Sequence, residues 1–132
     1  MIFLSLLSAQ IFSSLKVFIV TFAISSVFEI LALNTRVNIF GSTYRYDLKK
    51  TLFRFHILNL PICIPFLWAI TKVLIPSFFG FIWIDLIVDP LAIKAGWWKF
   101  NRKGLWFGVP LTNYIGWAIV WLTVEVINAK VF

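Results

Sequence analysis

MIFLSLLSAQIFSSLKVFIVTFAISSVFEILAL, residues 1–33, holds only two charges, Lys16 and Glu29, and neither glycine nor proline. One helix needs ~20 apolar residues to cross the hydrocarbon core of a bilayer. The stretch exceeds that, so it predicts a spanning helix near 16–33, preceded by an interfacial segment up to about Ser14. The rest of the chain is of the same kind: 61% hydrophobic and 13% charged over 132 residues. A soluble domain carries about 25% charged residues, and a chain this small has too little interior to hide so much apolar surface. These proportions argue against a soluble globular enzyme. With 15 Phe and 7 Trp, they argue equally against a disordered chain. The fold class expected is an all-α integral membrane protein, one domain over 1–132.

Outward from that stretch, residues 34–54 are polar and basic, with Arg36, Arg45, Lys49, Lys50 and Arg54. A second span is expected over 55–75, kinked by Pro61 and Pro65. A third runs over 77–93, broken late by Pro90, and a fourth over 110–127. Between the last two lies a second basic loop with Lys94, Lys99, Arg102 and Lys103. Its Trp97, Trp98 and Trp106 read first as interface aromatics.

Nine of the twelve basic residues fall in these two loops. The net charge of +7 is therefore read as topogenic, with lipid and not nucleic acid as the partner. The positive-inside rule puts both loops in the cytoplasm of a multi-pass plasma-membrane protein, with the turn near Pro76 and both termini outside. The single cysteine, Cys63, makes no internal disulfide, no Cys/His spacing suits zinc, and no removable signal peptide is expected.

With both loops on one side, the polar residues of the spans line up in depth. Glu29 lies ~6 Å from the loop end of its helix. Asp89 is similarly shallow, and Asp85 is one turn deeper on the same helical face. Asn113 is about one turn into the fourth span, and His56 opens the second. A carboxylate in lipid costs about 2.5–3.5 kcal/mol even on mild scales. The economical solution is for these groups to face one another inside the bundle. Taken singly, Glu29 reads as readily as a capping, pairing or snorkelling residue, His56 as an interface residue, and Glu125 as a snorkelling or inter-subunit residue near the opposite surface.

Two stretches are more specific: DLIVDPLAIKAGWW, residues 85–98, and GLWFGVPLTNYIGW, residues 104–117. They contain D-x-x-x-D-P, then G-x-W, then G-x-P-x-x-N-[FY]-x-G-W. Upstream stand Glu29, Phe40-Gly41, Tyr44-x-Tyr46, Pro61, Pro65 and Trp68. In this order and spacing, over about Glu29 to Trp117, the chain resembles the carotenoid-biosynthesis membrane protein family that includes carotenoid 1,2-hydratases of the bacterioruberin and cyanobacterial types. It departs from the family at Ala32 and Arg36, where glycines usually stand. Family members are also usually longer, with extra helices at both ends.

The resemblance implies hydration, without metal or cofactor, of a terminal C=C in an acyclic carotenoid. Asp85 or Asp89 would be the acid, Glu29 would hold water or act as base, and Asn113 would orient water or a carboxyl. Tyr44, Tyr46, Trp97 and Trp117 would form the substrate-binding set, with the rings of Tyr44, Tyr46 and Trp97 able to stabilise a carbocation. Protonation leading to ring closure, as in the small heterodimeric lycopene cyclases, ranks lower because their acidic Pro-Glu-Glu-type motif is missing. An accessory subunit of a larger membrane complex, with other membrane subunits as partners, is the alternative from outside enzymology. A small ion or proton path is a third reading, weakened by the lack of a repeated polar stripe along any one helix.

Overall fold

The computed structural model describes residues 1–77 and 80–131. Helix α1 runs without a break over Ile2–Asn34, so the expected division near Ser14 does not occur. No residue in this stretch breaks a helix, and the backbone continues through it. Over its second half α1 buries Thr21, Ser25, Glu29 and Ala32, a stripe at helical spacing. Residues 1–13 are exposed. Among the described residues, α1 is the helix long and apolar enough to cross a membrane.

After α1 the chain turns through Gly41 into strand β1, Tyr44–Tyr46. A short 3-10 turn, Thr51–Phe53, leads to β2, His56–Ile57, and β3, Leu60–Pro61. The latter two form a hairpin whose central residues, Leu58 and Asn59, have φ of 50° and 68°. Positive φ at both positions marks the turn that matches strand twist. Asn34 clips this tip to α1: its Nδ2 donates to Leu58 O at 2.6 Å, and its Oδ1 accepts from Asn59 Nδ2 at 2.8 Å.

The helix expected over 55–75 is therefore shorter. Helix α2 begins at Cys63 and ends at Leu74. Pro61 lies in β3, and Pro65 falls in the first turn of α2, where a backbone N–H has no helical acceptor to lose. Neither proline kinks a helix. His56 stands exposed in β2, its Nδ1 3.1 Å from Phe53 O, and takes no place in the expected polar slab.

Helix α3, Gly80–Lys94, buries Phe81, Asp85, Asp89 and Ala92, the same spacing as on α1. The expected start of this span falls partly on residues 78 and 79, which lie outside the described residues. Pro90 sits inside α3 and cannot bond to the carbonyl of Leu86. The indole Nε1 of Trp106 donates to that carbonyl instead, at 3.1 Å. Strand β4, Trp98–Phe100, follows, and helix α4, Leu111–Val131, completes the fold.

The two basic loops meet. β1 and β4 pair antiparallel, Tyr44 opposite Phe100, Arg45 opposite Lys99 and Tyr46 opposite Trp98. Tyr-Arg-Tyr and Trp-Lys-Phe both alternate with the period of two that separates the faces of a strand. Their aromatic faces turn inward over one end of the helices, and the cationic face turns to the surface. The fold is thus mostly helical with two small ribbons and no closed sheet among the described residues.

At the opposite end, Lys72 of α2 pairs with Glu125 of α4 and lies over the Trp121 ring. Lys16 Nζ donates to Asn128 O at 2.9 Å. The structure therefore gives Glu125 a partner within the chain, where snorkelling or inter-subunit contact was expected. The buried ammonium of Lys72 needs a counter-charge, and α4 supplies it.

Candidate active site

The aromatic ribbon closes over the end of the helices where the acids lie. Glu29 is 1% exposed, Asp85 1%, Asp89 3% and Asn113 3%. Three helices supply them: α1 the glutamate, α3 both aspartates and α4 the asparagine. The four-residue spacing of Asp85 and Asp89 puts both on one face of α3. Asn113 lies across from them in the first turn of α4. Its Nδ2 donates to Asp85 Oδ2 at 2.8 Å and to Asp89 Oδ2 at 2.8 Å. Both protons of that amide are thus committed to carboxyl oxygens.

Asp89 has a further donor. Trp98 Nε1 reaches its Oδ1 at 2.8 Å. Glu29 is held from the ribbon: Tyr44 donates to its Oε1 at 3.2 Å, and Tyr46 donates to the same oxygen. Loss of water around both phenols, with the Glu29 carboxyl next in importance, pushes their pKa values well above the ordinary 10.0. Both tyrosines therefore remain protonated donors at neutral pH.

Glu29, Asp89, Asn113, Tyr44, Tyr46 and Trp98 line one small cavity, together with Trp68, Trp117 and Phe100. It encloses about 20 Å³, room for a single water molecule. No Lys, Arg or His lines it. The rings form its walls: Trp68 and Trp117 lie with centroids 4.0 Å apart, and Tyr46 meets Trp98 edge-on at 5.5 Å. Next to it, sharing Ile64, Leu67 and Trp98, runs an apolar groove of about 320 Å³ between α2 and α3. Pockets of a few hundred Å³ with apolar linings suit small organic ligands.

Seven of the eight residues singled out from the sequence come together here: Glu29, Asp85, Asp89, Asn113, Tyr44, Tyr46 and Trp117. Six of them line the cavity, and Asp85 stands behind it on the Asn113 amide. Trp97 does not line it. Its ring packs edge-on against Phe53 at 5.5 Å and borders the apolar groove. Trp98, read from the sequence as an interface aromatic, holds the place beside Asp89. The signal was there: Trp98 and Phe100 alternate like Tyr44 and Tyr46, which marks Trp98 as inward-facing once the two segments are read as paired strands. Trp68 was visible only as part of the longer pattern.

A search of curated proteins and of solved structures finds no match to this chain. Residues 69–132 match the model of a family described as carotenoid biosynthesis protein. Glu29, Tyr44, Tyr46 and Trp68 precede the matched stretch. The matched stretch, which supplies both aspartates, Trp98, Asn113 and Trp117, carries the pattern of the carotenoid biosynthesis protein family.

Proposed function

We propose that this protein is a membrane enzyme that adds water to a terminal C=C of an acyclic carotenoid. The observation that carries the reading is the convergence of Glu29, Asp89 and Asn113 at one cavity wall, with Asp85 behind them on the Asn113 amide, beside an apolar groove. The family match over residues 69–132 supplies the carotenoid context.

The chemistry follows from the groups present. A carboxylic acid of the Asp85–Asp89 pair gives its proton to the less substituted carbon of the double bond. The π electrons form the new C–H bond and leave a tertiary carbocation. Water attacks that carbon and gives its surplus proton to Glu29, yielding a tertiary alcohol. Return of that proton to the aspartate closes the cycle. Tyr44, Tyr46 and Trp117, which line the cavity, stabilise the cation through their π faces, and Trp97 borders the groove that takes the polyene. No oxidant or reductant is required.

We also place the protein in the plasma membrane as a multi-pass chain with the paired basic loops in the cytoplasm. The long apolar helix α1 supports this, as do Trp83, Ile87, Leu91 and Leu122, which point outward from α3 and α4.

The test is expression with acyclic C40 and C50 carotenoids and mass-spectrometric search for the hydrated product. Product should appear with the wild-type chain and be lost with Asp89→Asn and with Glu29→Gln. Full activity in both variants would remove the site. A second reading, an accessory subunit without turnover, draws on the exposed residues 1–13 of α1. Copurification with a fixed set of membrane proteins, with no hydrated product, would favour it.

A further inference from the structure

Two residues that line the small cavity each carry a buried polar atom with no hydrogen-bond partner among the described residues: Oε2 of Glu29 and Nε1 of Trp68. Both residues are nearly inaccessible, at 1% and 3%. One atom is an acceptor and the other is only a donor. A buried polar group left without a partner is costly, and native proteins rarely leave one so. What sets these two apart is that they are of opposite kind and belong to residues lining the same cavity.

The cavity's size limits what can satisfy both. About 20 Å³ admits one water and little else. A water there would accept from the Trp68 indole N–H and donate to Glu29 Oε2. Its second lone pair and second proton remain for the neighbouring polar wall or for a reacting carbon. The other carboxylate oxygen, Glu29 Oε1, is already occupied by Tyr44 and Tyr46. The glutamate is thereby held with Oε2 as its free edge. Trp68 is fixed in turn by its rings, 4.0 Å from Trp117 and 5.3 Å from Phe81 between centroids.

We infer that Trp68 and Glu29 build a site for one internal water, and that Trp68 is the residue that positions it. On the hydration reading above, this water is the nucleophile. Its oxygen attacks the tertiary cation while Glu29 Oε2 receives its proton, and the indole N–H keeps the oxygen from drifting out of reach. Trp68 precedes the matched family stretch and acts through the water.

The water site is tested without reference to turnover. In the full chain labelled with ¹⁵N at tryptophan, in detergent, the Trp68 indole proton should show a cross-relaxation peak to a long-lived water. The indole is assigned by loss of its signal in Trp68→Phe. If that variant fails to fold, assignment by single Trp→Phe replacements elsewhere still identifies the wild-type signal. A folded protein whose Trp68 indole shows no contact with long-lived water overturns the proposal, whatever the enzymatic result. A water signal without carotenoid turnover keeps the site and sinks the hydration reading instead.

With active protein, the positioning role has its own readout in D₂O. A cation that escapes capture loses H⁺ from a neighbouring carbon and returns as deuterated alkene. Trp68→Phe should lower alcohol formation about tenfold, the effect of one lost hydrogen bond at the attacking group. The ratio of deuterated alkene to alcohol should rise. A fall in both products together, at unchanged ratio, would assign Trp68 to packing alone.

Discussion

The indole nitrogen of Trp98 lies 2.8 Å from Oδ1 of Asp89, although the two residues belong to different elements. The intervening chain leaves α3 through Gly96, at φ 73°, and enters β4. That left-handed residue returns the chain over the end of its own helix. Trp98 thereby reaches back to an acid one element earlier, while the adjacent Trp97 faces Phe53. Replacing Trp98 with Phe keeps the ring and removes the donor. The melting temperature in detergent should fall by the equivalent of about 1–3 kcal/mol, and hydrated product should fall with it. Trp97→Phe breaks no such bond and should cost less in the same melt. Equal losses would deny Trp98 its special place.

Lys72 and Glu125 make an unequal pair. The lysine is 3% exposed and the glutamate 45%. Removing the carboxylate takes the counter-charge from a buried ammonium and leaves it the Pro76 carbonyl and the Trp121 face, whereas removing the lysine leaves a carboxylate that still has access to the outside. Glu125→Ala should therefore destabilise by about 3–5 kcal/mol. Lys72→Met, which keeps the aliphatic stem and its packing, should cost clearly less. Thermal unfolding of both variants decides it, and the reverse order would contradict the burial argument.

Gly116 lies where α4 passes the loop bearing Phe40. A Cβ at this position would collide with the Phe40 ring and stand 3.0 Å from Ile39 O. Phe40 is fully buried and cannot swing aside. Gly116→Ala should cost about 1–3 kcal/mol through overpacking. Because Phe40 packs edge-on against Tyr44 at 5.8 Å, the variant should also weaken the ribbon that holds Glu29. Hydrogen exchange at the β1 amides should quicken, and protection equal to wild type would count against that coupling.

Tyr44 and Tyr46 set a limit at alkaline pH. Burial first, and the Glu29 carboxyl second, raise both phenols well above 10.0 in the folded protein. In the unfolded chain they ionise near ~10. The unfolded state thus loses protons first, and the stability these groups contribute, fully present below pH ~10, declines as pH rises beyond it. In a Tyr114→Phe background, which leaves these as the two tyrosines, ultraviolet titration of the folded protein should show tyrosinate only well above the ordinary 10.0. A transition near the ordinary value would mean that both hydroxyls are open to water.

Much of the site was legible in the order and spacing of its residues. Asp85 and Asp89 share a helix, and their spacing alone predicts a shared face. Glu29 and Asn113 were placed at the same depth by counting from the loops. The ends of the second helix were not legible. An apolar run with prolines reads alike as a kinked span or as a hairpin feeding a shorter helix. Local preference at Leu58 and Asn59 does not choose between them, while the clip from Asn34 exists only after the chain has folded. Lys72 and Glu125 are 53 residues apart, and no local pattern pairs them.

By itself the sequence determined composition, the mostly helical character and the shared face of Asp85 and Asp89, because these depend on the solvent and on neighbours a few residues away. Tertiary structure alone decided which tryptophan faces the acids, how the two basic loops join, and that Trp68 shares a one-water cavity with Glu29. Those outcomes depend on contacts between segments distant in the chain, whose packing energies are settled only when the helices and the ribbon close on one another.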